Sequence, residues 1–220
     1  MRQVSADFYS LSAELPDGSI YKFSQLKEHP VLIINTATKC NLAKTTFKNI
    51  KALAKTYKKL RILIFPCGQF LNQEETDEKH VTEKTIKALK ALYEDKHHEE
   101  LPDNEELPGA KDLKNNEEQS FQHKTDKLKD EKTEKEGKIP SNIIIFKKIK
   151  VFGSEQHPVF TFLTKHLQGT LFNTVKWNFT KFLIDENGIP SKRYGPSEPV
   201  TIDDELIKNM FSDAVIKDEL

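Results

Sequence analysis

Two side chains in this sequence are sulfur nucleophiles, Cys40 and Cys67. Cys40 lies in Asn35-Thr36-Ala37-Thr38-Lys39-Cys40-Asn41-Leu42, where an apolar run ends and a helix-periodic stretch begins. A thiol at such a turn faces unpaired backbone N–H groups and the positive end of the helix dipole, and Lys39 adds a cation nearby. Both effects favour the thiolate, which is the attacking form. The competing reading, an inert buried cysteine, suits a position inside an element better than this one. A dithiol oxidoreductase would carry a second cysteine three positions later, and Ala43 stands there. What remains for a lone activated thiolate is attack on an electrophile, and peroxide oxygen is the natural candidate. Two cysteines are too few for a disulfide framework or a structural zinc site, and no metal is expected.

The elements that must position Cys40 follow from hydrophobic periodicity. Residues 30–36 form a short apolar run of the buried-strand kind. A helix is expected from Leu42 to Tyr57, with Phe47, Ile50, Leu53 and Tyr57 spaced by three and four. Residues 60–65 give a second buried strand closed by Pro66, so strand, helix and strand make a parallel βαβ unit. A further helix is expected over Asp77–Tyr93, strands over Ile143–Phe146 and Phe179–Ile184, and helices over Val159–Leu167 and Asp203–Val215. Asp185-Glu186-Asn187-Gly188 reads as a hairpin turn into Ile189–Tyr194. The pattern is α/β, with a parallel start and an antiparallel hairpin at the end.

Residues 96–138 break it. Of these 43 positions 22 are Asp, Glu, Lys or Arg, and the large apolar side chains are Leu101, Leu107, Leu113, Phe121 and Leu128. Such a stretch buries too little to offset its ordering entropy and is expected to be a solvated, disordered insertion. The domain is then residues 1–95 with 139–220. Basic and acidic residues balance at 34 each, so no global field steers the chain to nucleic acid or to acidic membranes. Apolar runs such as Val31-Leu32-Ile33-Ile34 are far too short to span a bilayer. The first residues lack the pattern of a secretory signal, which points to the cytoplasm. The last four, Lys217-Asp218-Glu219-Leu220, spell a retention signal of the endoplasmic reticulum and favour its lumen, the signal peptide then having been removed.

Three ordered stretches resemble the glutathione peroxidase family. Asn35–Cys40 resembles the first family signature, Phe65-Pro66-Cys67-Gly68-Gln69-Phe70-Leu71-Asn72-Gln73-Glu74 the second, and Lys176-Trp177-Asn178-Phe179-Thr180-Lys181-Phe182-Leu183 the third. His157-Pro158-Val159-Phe160 before a helix also fits. The resemblance covers residues 4 to 215 apart from the insertion. It implies a thioredoxin-like fold, a central mixed sheet flanked by helices, and a thiol-dependent peroxidase that reduces hydrogen peroxide or organic and lipid hydroperoxides through a sulfenic acid. Cys40 then matches the peroxidatic residue in its cysteine form, and Gln73, Trp177 and Asn178 match the rest of the catalytic tetrad. Amide and indole N–H groups can donate to the thiolate and to the oxygen that turns negative as the O–O bond breaks.

Departures from the family pattern carry their own expectations. Asn41 replaces a glycine, Gly68 replaces an asparagine, and glycine and proline are missing around Gln73, which bears on rate and peroxide preference more than on reaction type. Thioredoxin-dependent members resemble this chain but carry a resolving cysteine that Thr82–Asp95 lacks. Reduction by an external thiol is expected, glutathione or a protein thiol, with no bound cofactor. Cys67 is the internal alternative as resolving residue, against its reading as a packed cysteine at a strand end. The short link from Leu167 to Trp177 implies a monomer. Two other readings stand beside this one: an oxidant that passes its equivalents to protein disulfide isomerase, and a non-cycling redox sensor or scaffold.

Overall fold

The computed structural model of the chain describes residues 7–91, 139–169 and 173–217. The chain divides into a unit of residues 1–89 with 140–220 and a second unit of residues 90–139. The expected insertion at 96–138 therefore falls outside the described residues, as do Asp218, Glu219 and Leu220 of the expected retention signal.

The apolar run after Pro30 becomes β3 (Val31–Thr36), and all six of its residues are buried. That places it at the centre of a sheet covered on both faces, as continuous hydrophobic strands require. It pairs in parallel with β4 (Arg61–Pro66), in a register that sets Val31 opposite Arg61 and Thr36 opposite Pro66. Beyond β4 lies β5 (Ile143–Ile145), also parallel. On the other side β6 (Lys181–Ile184) runs antiparallel to β3. The last strand, β7 (Pro190–Tyr194), returns antiparallel to β6. Across the sheet the order is β5-β4-β3-β6-β7, so the expected parallel start and antiparallel end are both present.

Helix α1 (Ala43–Thr56) connects β3 to β4 and buries Phe47, Ile50 and Leu53 of the expected stripe together with Ala54, whereas Tyr57 lies just past the helix end and is partly buried. On this side the sheet presents Leu32 and Ile34, which border a small cavity shared with Ile50 and Leu53. Val31, Ile33, Leu63, Phe65, Phe182 and Ile184 point to the opposite face and make the main core with Phe160 and Leu163 of α3 (Pro158–His166). Phe65 stacks on Phe146 at 4.4 Å and meets Phe160 edge-on at 5.6 Å. Between these helices in sequence, α2 (Glu78–Ala91) follows the loop after β4. The chain ends in α4 (Glu205–Lys217), whose first turn is capped by the Asp204 carboxylate accepting from the N–H groups of Leu206 and Ile207.

Most element ends fall within a residue or two of expectation, and the differences have local causes. Strand β6 begins at Lys181 rather than Phe179, because Phe179 takes a left-handed backbone with φ of 63° and cannot be extended. The hairpin turn forms at Asp185–Gly188, where Asp185 Oδ1 accepts from the N–H groups of Asn187 and Ile189. Gly188 has φ of 78°, and a Cβ there would lie 2.8 Å from the Tyr9 ring, so the position needs glycine twice over. An N-terminal hairpin, β1 (Ser12–Glu14) with β2 (Ile20–Lys22), has no counterpart in the sequence reading. Its strands are three residues each, too short for alternation to register.

Candidate active site at the carboxyl end of β3

Past Thr36 the chain turns sharply before α1. The Cys40 N–H donates to Ala37 O at 3.2 Å, and Cys40 O accepts from Ala43 N at 2.9 Å. These bonds hold Cys40 in the turn that leads directly into the helix N-terminus, as its sequence position predicts. The residue is 7% exposed. Lys39 does not serve the thiol as a free cation. Its ammonium pairs with Glu75 at 3.0 Å, and Lys84 from α2 binds the same carboxylate. The Lys84 and Lys39 ammonium groups together hold the Glu75 carboxyl down to about 2.

The loop after β4 brings Gln73 to this turn. Leu71 and Asn72 both have φ of 51°, two consecutive left-handed residues in the place where the family's glycine is missing. They reverse the chain so that Gln73 N donates to Phe70 O at 3.2 Å, and Gln73 O accepts from Lys39 N at 2.9 Å. The Gln73 backbone thus touches the residue beside Cys40. Its side chain meets Asn178, whose Nδ2 donates to Gln73 Oε1 at 3.0 Å. With its oxygen occupied, the Gln73 amide has its N–H groups left to donate elsewhere.

Trp177 and Asn178 arrive on the segment before β6, which Asn35 fastens to β3. Asn35 Nδ2 donates to Trp177 O at 3.2 Å, Asn35 Oδ1 accepts from Thr180 N at 3.0 Å, and Asn35 O accepts from Phe179 N at 2.7 Å. The left-handed turn at Phe179 lets the backbone make these bonds while its ring buries edge-on against Phe47, 5.9 Å away. Asn178 is fully buried, and its Oδ1 has no hydrogen-bond partner in the protein. A buried polar atom left unpaired is uncommon and marks a place where a polar group can be accepted. Trp177 is partly buried and packs on Phe70, ring centroids 5.8 Å apart.

Cys67 lies elsewhere in character. It directly follows β4, is fully buried, and its thiol donates to Gln69 Oε1 at 3.6 Å. That same oxygen accepts from Val151 N and Phe152 N, so Cys67 sits behind a braced loop. Burial pushes its thiol up, away from the thiolate. Both cysteines are free thiols. Among the described residues no cluster of His, Cys, Asp or Glu is arranged to hold a metal ion.

Three of the residues singled out by sequence are therefore joined through bonds at one end of the central strands: Gln73 and Asn178 directly, Cys40 through its neighbour Lys39. The sequence reading assigned no role to Asn35, Thr38 or Glu74. A polar residue closing an otherwise apolar buried run, as Asn35 does, was the available signal, since such a group must find partners.

A mixed sheet of this order, with a thiol at the first βα turn, defines a protein of thioredoxin-like thiol chemistry. The glutathione peroxidase family model matches residues 8–99. A probable phospholipid hydroperoxide glutathione peroxidase of Encephalitozoon cuniculi is 33% identical over 95% of this chain and 92% of its own length. A glutathione peroxidase of Lactococcus lactis is 31% identical over 92% of this chain and 98% of its own. The crystal structure of T. cruzi GPX1 superposes with a TM-score of 0.53 at 25% identity, over 92% of this chain and 93% of that one. The chain belongs to the glutathione peroxidase family, enzymes that reduce peroxides at the expense of thiols.

Proposed function

We propose that Cys40 carries the peroxidase reaction and that Gln73, Trp177 and Asn178 supply donors to it. The Cys40 sulfur attacks one oxygen of a hydroperoxide, an S–O bond forms and the O–O bond breaks. The thiol proton ends on the departing oxygen, so the peroxide leaves as water or an alcohol and Cys40 is left as a sulfenic acid. The observation that carries this reading is the continuous path of hydrogen bonds from Lys39 N to Gln73 O and from Gln73 Oε1 to Asn178 Nδ2. It ties amide donors to the turn that holds the only partly accessible thiol. Preorganised donors of this kind stabilise charge as it develops on the departing oxygen.

For reduction of the sulfenic acid we infer an external thiol, glutathione or a protein thiol. One thiol forms a mixed disulfide with Cys40 and releases water, and a second completes the cycle as a disulfide. The burial of Cys67 and its engagement with Gln69 support this over an internal disulfide. The substrate class we assign is hydrogen peroxide together with organic and lipid hydroperoxides. The name of the Encephalitozoon relative supports the lipid arm.

Cys40→Ser tests the reading. A hydroxyl is similar in size and far less nucleophilic, so peroxide consumption with glutathione, thioredoxin or protein disulfide isomerase as reductant is expected to vanish while the fold stays intact. Turnover in that variant at the wild-type rate would overturn the assignment.

A further inference from the structure

Glu74 is a carboxylate buried to 3% exposure beside the proposed site, and it makes no ion pair among the described residues. Its Oε2 accepts from the Thr38 N–H at 2.9 Å, and its Oε1 accepts from the Thr38 hydroxyl at 2.6 Å and from Glu75 N at 2.9 Å. Three donors thus converge on one buried side chain, and two of them come from a residue two positions before Cys40. Among the described residues Thr38 takes no other hydrogen bond. The loop that bears Glu74 is anchored from outside as well: Lys148 Nζ donates to Glu75 O and Thr76 O, and Lys84 holds Glu75.

We propose that Glu74 and Thr38 form a clamp that sets the distance between the Cys40 turn and the Gln73 amide, and so act as positioning residues for peroxide cleavage. The inference rests on the assignment of Cys40 and Gln73 above. The clamp joins two segments that have no ladder of strand or helix hydrogen bonds between them. One side is a turn between β3 and α1, and the other is a loop with two left-handed residues, Leu71 and Asn72, immediately before Gln73. Backbone bonding between Lys39 N and Gln73 O fixes one point of contact, and the half-exposed ion pair from Lys39 to Glu75 gives a second, solvent-screened one. The two-pronged bond from Thr38 to Glu74 is the buried side-chain link between the two segments, shielded from water where the ion pair is not. Hydrogen bonds shielded from water are electrostatically stronger than exposed ones.

Thr38→Val keeps the shape of the side chain and deletes the hydroxyl donor, so folding is preserved while one prong is lost. The rate constant for oxidation by hydrogen peroxide, followed by stopped-flow fluorescence of the single tryptophan, is expected to fall about tenfold to a hundredfold, the scale for misplacing reacting groups. Alkylation of Cys40 by iodoacetamide needs no donor at a departing oxygen, so its rate is expected to stay at the wild-type value. Thr38→Ser restores the hydroxyl and is expected to restore peroxide oxidation. In combination with Glu74→Gln, Thr38→Val is expected to lower the rate by much less than the product of the two separate losses. A wild-type peroxide rate in Thr38→Val, a parallel fall in alkylation, failure of serine to rescue, or a multiplicative double variant would each overturn the clamp. Cys40→Ser assayed alongside separates the two claims. If it is inactive and Thr38→Val is fully active, the clamp alone falls; if it consumes peroxide, the Cys40 assignment and the clamp fall together.

Discussion

Asn178 shows how one buried amide is asked for two things. Its Nδ2 occupies the Gln73 oxygen and so decides which way the Gln73 amide faces, while its own Oδ1 is left unpaired. Asn178→Ala removes the constraint and leaves the partly buried Gln73 amide free to turn. The first oxidation step is expected to slow by about one to three orders of magnitude, the range for losing a preorganised donor. Asn178→Asp is expected to lose as much, because a carboxylate cannot donate to Gln73 Oε1 and would face it acceptor to acceptor. Stopped-flow oxidation near the wild-type rate in both variants would show that the amide pair has no part in the reaction. At this same scale the structure changes the role of Lys39. The sequence offers it as a cation for the thiol, and Glu75 takes its charge instead.

Among the elements, β6 carries the least expected residue. Lys181 opens the strand at 2% exposure, on the face toward α1, where an apolar side chain would be ordinary. Its ammonium donates to the carbonyl oxygens of Gly195, Pro196 and Glu198, which curls the segment after β7 back over the sheet. Burial pushes Lys181 down to about 8 from an ordinary 10.5. A lowered lysine pKa means that between pH 8 and 10.5 the unfolded chain binds more protons than the native one, so this group makes stability rise with pH across that window. Urea unfolding at pH 7 and pH 10 is therefore expected to show the wild type gaining on Lys181→Met as pH rises. The sign reverses if the three carbonyls hold the proton more firmly than burial expels it, and a wild type that loses ground would establish that. The β6 register against β3 also sets the site, since Asn178 precedes this strand by only a few residues.

For the molecule as a whole, the described residues already supply a five-stranded sheet covered by helices. Helix α2 is described to Ala91, and β5 takes its place beside β4 from Ile143, with Ile62 opposite Ile143. We propose that the charged stretch is an insertion that contributes little to the core, as its composition argues. Replacing residues 96–138 by a short flexible linker is expected to leave peroxide turnover and melting temperature at the wild-type level. A variant that fails to fold, or melts well below the parent, would show that the stretch packs on the domain.

Much of this arrangement was legible because it depends on local signals. The buried strands β3 and β4 announce themselves as apolar runs, α1 as a stripe at three- and four-residue spacing, and the turn between them as the place for a reactive thiol. Each is dictated by neighbours within a few residues, where backbone geometry and burial act directly on composition. The contacts that make the site belong to another order. Gln73 and Asn178 are 105 residues apart, and Thr38 and Glu74 are 36 apart. Their meeting follows from β3 pairing in parallel with β4 and antiparallel with β6, which stacks three chain turns at one end of the sheet. Family resemblance named Gln73, Trp177 and Asn178, but no spacing predicted their bonds, nor the clamp at Thr38, nor the ring of carbonyls around Lys181. Apolar patterning determines which face of each element is buried, and only the pairing of distant strands decides which polar groups then find each other in the space that remains.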